Sequence, residues 1–504
     1  MKNPSSSILN YTGRLFGNPV SAWLYKHVFE RQLNSIWGYL FLFLLTFMVS
    51  WLVVKVGWFI GILIAAAVIG GPILFSTVFK VEFGIKLMLI IAVFMSVFLK
   101  LLPNIPIGLV MDSTILMMML GITYRAIKKG EWKPFQTPIT GAILLWMCWH
   151  LIEIANPIAA SRVAWFYVVR PAVGYILLFF AAYGYLNSIT RIKGLVYLIV
   201  ILFALSGIWG IVQFIFGYFP FEMEYIVSHD AVHLVYIQGR WRSFGTMGSP
   251  AQFGVIMAYT LIFCFVLVKV RFGKYSKLFM ISSGIICTMA LVYSGTRTGV
   301  ALVPIGIMTI VGLSRSVKLY LICIFGGIIM IGIINMPTDN YHIKRIQSTF
   351  NASEDESYKV RERNKEMITP WILSHPMGGG LGSTGVWGQR FSPGTFLANF
   401  PPDSGYVRIA VEMGWIGLLI YIFLWINILI KSVFPYWKMK NPELKTIALS
   451  IFVSIVPLIV IESAQDIVGK LPSNLLFWVQ LAILFRAIEL DLNEQKELCE
   501  KTVK

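Results

Sequence analysis

Residues 336–417 read MPTDNYHIKRIQSTFNASEDESYKVRERNKEMITPWILSHPMGGGLGSTGVWGQRFSPGTFLANFPPDSGYVRIAVEMGWIG, a long polar insertion in an otherwise apolar chain. What surrounds it decides the fold. On both sides the sequence runs in apolar stretches bounded by Lys and Arg, each about as long as a helix needs to cross roughly 30 Å of hydrocarbon. Hydrophobic residues make up 57% of the 504 residues and charged residues only 13%, about half the charged share of a soluble protein. A transmembrane β-barrel would instead show short segments of alternating polarity. The sequence therefore predicts an all-α integral membrane protein, a bundle of about 12–14 transmembrane helices with a long outer-face loop carrying short helices.

The net charge of +18 does not point to nucleic acid, because the basic residues cluster in short links between apolar runs, as the positive-inside rule expects. RAIKKGEWK, KVRFGKYSK, SRSVK and KSVFPYWKMKNPELK sort to one side, taken as cytoplasmic. The two long loops, Pro220–Ser249 and Met336–Gly405, sort to the other. About fourteen spans fit this pattern, beginning with Trp37–Val54 and Gly57–Phe79 and ending with Tyr406–Ile430, Ile447–Ile461 and Leu475–Leu484. The expected organisation is a cytoplasmic leader (1–35), N-terminal membrane helices (36–219) and central helices with arginine motifs (220–335). A large periplasmic loop (336–405), C-terminal membrane helices (406–486) and a cytoplasmic tail (487–504) follow. The leader is expected to lie along the membrane surface as an interfacial helix, without a cleavable signal peptide. No cysteine falls in an outer loop, so neither a disulfide nor a cysteine metal site is expected.

This topology gathers polar features at one membrane surface. GRWRSFGTMGSPAQFG places Arg240 and Arg242 before a Gly/Ser/Pro turn, and YSGTRTG is a tight link carrying Arg297. Arg170 lies roughly two turns deep in the sixth span. Arginine at membrane depth is costly and faces a bundle interior or polar cavity. Several arginines at one interface suit an anion with multidentate oxygens, best a diphosphate. Two plainer readings stand beside this: Arg297 snorkelling to headgroups, and Arg170 paired with Glu153. In the long loop, Glu354–Trp371 reads as a surface helix with Arg361, Arg363 and Lys365 able to face the bundle. HPMGGGLGSTG then supplies glycines for a close-approach turn. Asp403 and Ser404 precede a helix bearing Tyr406, Arg408 and Glu412, where Asp403 reads as either a functional carboxylate or an ordinary N-cap.

Other motifs carry less. Gly380, Gly382 and Gly385 match G-x-G-x-x-G, but no strand precedes them and no βαβ pattern exists. His229, Asp230 and His233 echo a zinc-protease helix without its Glu or a third ligand. His150 reads as a packed core residue, while His375 is a weak candidate base. Ser294 and Ser404 lack an adjacent His.

RSFGTMGSPAQFG, YSGTRTG, SHPMGGGLGS and DSGYVRIAVEMGWIGLLIYI, in that order, resemble the O-antigen ligase/polymerase superfamily over roughly Arg240–Phe434. The resemblance implies glycosyl transfer at the periplasmic face of the bacterial inner membrane, without metal or other cofactor. It implies an undecaprenyl-diphosphate-linked glycan donor and a glycan or lipid A core acceptor, in contact with membrane lipids and with a chain-length regulator or flippase as partner. Carried onto this chain, Arg242 and Arg297 hold the donor diphosphate, and Arg361 or Arg363 is similar to the family's loop arginine. Ligases of the family usually have His-Asn or His-Ser where this chain has Asp403-Ser404, which favours a polymerase.

The expected reaction is inverting displacement: a hydroxyl polarised by Asp403, with Glu412 or His375 as substitutes, attacks the anomeric carbon. Arg170, Arg240, Arg361, Arg363, Ser404 and Tyr406 complete the expected substrate site. Two rival readings are a lipid-linked glycan transporter, which predicts charges near mid-membrane, and a non-enzymatic scaffold of an envelope assembly complex, which predicts dispensable outer arginines.

Overall fold

The computed structural model describes residues 35–102, 106–237, 239–314, 317–338, 347 and 356–503. The expected N-terminal surface helix, and the first two residues expected in the loop helix, lie outside the described residues. The chain divides into two compact units, Met1–Phe75 and Ser76–Lys504. The first contains α1 (Ile36–Val56), apolar on every face and capped by the Ser35 hydroxyl, which accepts from Gly38 N. It also holds most of α2 (Trp58–Phe79).

The second unit is built from α3 (Val81–Leu101), α4 (Ile107–Lys129), α5 (Thr140–Ile152), α6 (Arg162–Tyr185) and α7 (Ile189–Phe216). There follow two short helices, α8 (Pro220–Ser228) and α9 (Val232–Val235), and a small antiparallel hairpin of β1 (Tyr236–Ile237) and β2 (Arg240–Trp241). Next come α10 (Pro250–Leu267), α11 (Ser276–Ser294), α12 (Arg297–Ser314) and α13 (Val317–Asn335). The long insertion contributes α14 (Glu356–Ser374) and α15 (Gly385–Phe391), and the chain ends in α16 (Gly405–Lys438), α17 (Pro442–Ile461) and α18 (Ser473–Val503). Among the described residues, ten helices are long and apolar enough to cross a membrane. The all-α polytopic membrane fold expected from hydropathy is borne out, since in hydrocarbon only a helix satisfies its own backbone hydrogen bonds.

Packing centres on α10, which is buried on nearly all sides and touches α7, α11, α12 and α17. Its approach to α12 is close because both contact points are glycine: a Cβ on Gly299 would meet the Gly254 carbonyl, and one on Gly254 would collide with Thr296 and Ser294. Helices packed without a hydrophobic drive between them depend on such small residues. A second group packs α6 against α3, α4 and α18. The long insertion has its own apolar cluster of Ile368, Leu397, Phe400 and Val411, which joins α14 and the 397–399 turn to the start of α16.

Candidate active site

Alternate helix ends bring the connections after α5, α7, α11, α13 and α17 to one end of the second unit, and hydrogen bonds tie them together. Arg242 leaves the hairpin and turns inward to become buried. Its Nε donates to Ser294 O at 2.8 Å and its Nη2 to Thr296 Oγ1 at 3.1 Å. The Thr296 hydroxyl donates in turn to Pro250 O. The guanidinium therefore fastens both sides of the YSGTRTG turn, which reverses at Gly295 in the left-handed region. Tyr218 donates to the Arg242 carbonyl at 2.7 Å, and burial pushes that phenol's pKa up. Arg297 opens α12 in half-buried surroundings, and Thr298 beside it donates to Gln465 Oε1 at 2.8 Å.

From Gln465 the network runs into a buried ionic cluster. Arg408 donates to Asp466 through Nε at 3.0 Å and Nη2 at 3.3 Å, a bidentate fork, and its Nη1 lies 3.6 Å from Glu412. Glu412, 3% exposed, accepts the Thr384 hydroxyl at 2.6 Å. Glu462 is fully buried at the end of α17 and accepts Ile467 N and Val468 N. Burial, reinforced by the neighbouring Asp466 charge, pushes its carboxyl above the usual carboxylate range. The Glu462 carbonyl accepts both Ser404 Oγ and Gly405 N at 3.0 Å, which seats the start of α16. Ser404 is the N-cap of α16, its hydroxyl accepting from Val407 N. The capping role considered for Asp403 therefore belongs to its neighbour. Asp403 is exposed, and its carboxylate accepts Asn364 Nδ2 from α14 at 3.2 Å.

The glycine-rich stretch docks where α16 is broken. Gly414 has φ 69°, and a Cβ there would collide with the Pro376 carbonyl. The backbone groups around the break bond to the insertion and to α5: Gly379 N donates to Val411 O, Ile416 N to Pro376 O, and Trp149 Nε1 to Met413 O. Non-helical backbone at this depth is tolerated because protein covers it. Asn156, after α5, holds the other side of the insertion by donating to Met377 O at 2.9 Å and Gly378 O at 3.3 Å. Two glycines of the G-x-G-x-x-G match thus serve packing, Gly380 against Ala159 and Gly382 against Val168, while Gly385 starts α15 with a left-handed φ of 60° and open space around it.

The remaining candidates are distributed around this centre. Tyr406 donates to Ile459 O at 2.8 Å. His375 stacks on Trp371, centroids 4.2 Å apart, with Nδ1 near Ser374 Oγ and Trp371 O. Arg361 and Arg363 are exposed on α14, and Arg240 is exposed on β2. Arg170 pairs with Asp112 on α4 at 2.9 Å, which corrects the pairing with Glu153; that carboxylate accepts Asn156 Nδ2 instead. One turn before Arg170, Tyr167 packs against Trp387 and Phe391 of α15, with Arg390 over its ring, so the insertion also reaches α6.

Sequence reasoning missed Asp112, Glu462, Gln465 and Asp466 and treated Arg408 as a passenger. The signal was the polar run IESAQDIVGK after an apolar span, which has no role until its partner 58 positions upstream is known.

Residues 282–422 match a family model described as O-Antigen ligase. That range takes in the YSGTRTG turn, the whole insertion and the first half of α16, and it leaves out Arg242 and Asp466. No curated protein matches the chain. The match indicates a glycosyltransferase-like membrane enzyme acting on lipid-linked glycan and acceptor substrates. It falls on three of the four motifs read from the sequence, and it supports the O-antigen ligase/polymerase superfamily for this chain.

Proposed function

We propose that the protein is an O-antigen or exopolysaccharide polymerase/ligase-type glycosyltransferase of the bacterial inner membrane, with polymerase favoured over ligation to a lipid A core. What supports this reading is the O-antigen ligase match over residues 282–422, the same stretch that joins the Arg297 turn to the insertion and to α16. The donor is a glycan on undecaprenyl diphosphate, and the site faces the periplasm.

In the proposed reaction an acceptor sugar hydroxyl attacks the anomeric carbon of the donor from the face opposite the diphosphate. The new oxygen–carbon bond forms as the bond from that carbon to the diphosphate oxygen breaks, with inversion. The hydroxyl proton passes to the exposed Asp403 carboxylate, which Asn364 orients. The electron pair leaves on the diphosphate, whose growing charge is met by Arg297. Arg242 contributes by holding the turn that aims Arg297, since its own donors go to Ser294 and Thr296. Arg170, Arg240, Arg361 and Arg363 guide the anionic carrier and the glycan in this reading. A diphosphate is already a good leaving group, so the chemistry requires positioning and charge stabilisation above all.

The test is envelope glycan analysis of a deletion strain complemented with wild type, Arg297→Ala or Asp403→Ala. A polymerase predicts that both variants leave core lipid capped with a single repeat. Long carrier-linked polymer beside bare core identifies a ligase. Full wild-type glycan from Arg297→Ala sinks the catalytic reading.

A further inference from the structure

At the end of the second unit away from the candidate site lies a cavity of about 650 Å3. It is walled by the first turns of α3, the last turns of α4 and α6, the start of α7 and a residue of α18. Seven cationic and two acidic side chains line it, beside an apolar wall that includes Phe79, Val81, Phe83 and Ile122.

The cations are not simply the lysines of a positive-inside link. Arg125, Lys129 and Lys133 all belong to the RAIKKGEWK stretch at the end of α4 and just after it, but Lys86 comes from α3 and Arg191 from α7, and they converge on the same space. Two are fixed there by helix ends: Arg125 Nη1 donates to Phe79 O at 3.1 Å, and Arg191 Nη1 donates to Tyr185 O at 3.0 Å. Each guanidinium has five N–H donors, so these bonds hold the arginines in place with donors to spare. Lys86 is matched by Glu82 at 2.5 Å. The excess positive charge repels itself by several tenths of a kcal/mol per exposed pair, a cost that a bound anion offsets. A volume near 650 Å3 suits a compact ligand, and the mix of cations and apolar wall suits one with a charged head and a greasy stem.

We propose that this cavity binds the phosphate headgroup of an anionic phospholipid, with the first carbons of its chains against the apolar wall. Basic pockets between membrane helices take such headgroups by this chemistry. A soluble phosphate offers the same oxygens without the stem, so the test has an arm for each. The site is independent of the glycan reaction, which belongs to the other end of the helices.

Full-length protein is stripped of lipid in neutral detergent, and its thermal midpoint is followed while cardiolipin, phosphatidylglycerol, phosphatidylethanolamine or inorganic phosphate is added. The cavity variant is Lys129→Gln/Lys133→Gln, both exposed and tolerant of change. The control is Lys274→Gln/Lys277→Gln, which removes the same charge from exposed positions in the α10–α11 link and the first turn of α11. The expected result is stabilisation by the two anionic lipids, with the half-saturating concentration raised at least tenfold in the cavity variant and unchanged in the control. Stabilisation by inorganic phosphate alone, lost in the cavity variant, assigns the same chemistry to a soluble ligand. Equal stabilisation by phosphatidylethanolamine, equal behaviour of the two variants, or no stabilisation by any addition overturns the proposal.

Discussion

Arg408 shows how a membrane protein carries charge at a buried end. Its planar fork meets Asp466 in two bonds while a third nitrogen faces Glu412, so one cation serves two buried carboxylates. Removing Arg408 leaves Glu412 without a counter-charge and Asp466 with only the exposed Lys470, 3.9 Å away, and breaking a buried pair from one side costs about 3–5 kcal/mol. We expect Arg408→Ala to lower the thermal midpoint in detergent sharply and Asp466→Ala to do so less, because Glu412 still faces the cation. The double variant Arg408→Ala/Asp466→Ala should recover part of the loss, since it removes the charges together. Midpoints of the three variants check this, and strictly additive losses would mean that the pair is not coupled. The partnership was not legible in the sequence. Arg408 stands in a stretch read for its glycines, and Asp466 in a link too short to attract notice. Asp112 was missed for a related reason: a single acid in an apolar run has no visible role until α6 brings Arg170 to it.

At the scale of elements, hydropathy did most of the work, and its failures are instructive. Each apolar run read from the sequence falls in a helix, because a run that must cross lipid has one way to satisfy its backbone. Hydropathy measures lipid, however, and not helix length. The last span was expected over Leu475–Leu484, yet α18 continues to Val503 through the charged sequence ELDLNEQKELCEKTV, where strong helix formers carry it on. The break in α16 was equally hidden, since one non-helical residue leaves the apolar run intact. At Gly414 the left-handed φ and the neighbouring Pro376 carbonyl both exclude a side chain. Gly414→Ala should therefore loosen the docked insertion by about 1–3 kcal/mol, the usual cost of such a backbone position. Opening of that size raises the exposed fraction roughly fivefold to 150-fold. Limited trypsin digestion reads it as faster cleavage after Arg390. Gly394→Ala, with nothing within 4 Å of its Cβ, should digest like wild type. Equal digestion of Gly414→Ala and Gly394→Ala would show that the break does not hold the insertion.

Over the whole molecule, charge divides the two ends of the helices. The candidate-site end bonds Arg242 into the YSGTRTG turn and answers Arg408 with Asp466 and Glu412. The other end carries mainly unburied lysines and arginines in short links such as RAIKKGEWK and KVRFGKYSK. Short basic links resist transfer across a membrane, while a long loop crosses largely regardless of its charge. The insertion should therefore lie outside the cell membrane and the basic links within. Singly introduced cysteines report the sidedness: Gly394→Cys at an exposed position of the insertion and Lys274→Cys on the exposed α10–α11 link. Both are made after Cys148, Cys323 and Cys499 are replaced by Ser; Cys264 and Cys287 stay, since their thiols are buried. A membrane-impermeant maleimide should label Gly394→Cys in cells whose inner membrane is intact, and Lys274→Cys only after that membrane is opened. The reverse pattern would put the Arg297 turn in the cytoplasm. The fold and the family match would then survive, but glycosyl transfer at the periplasmic face would not.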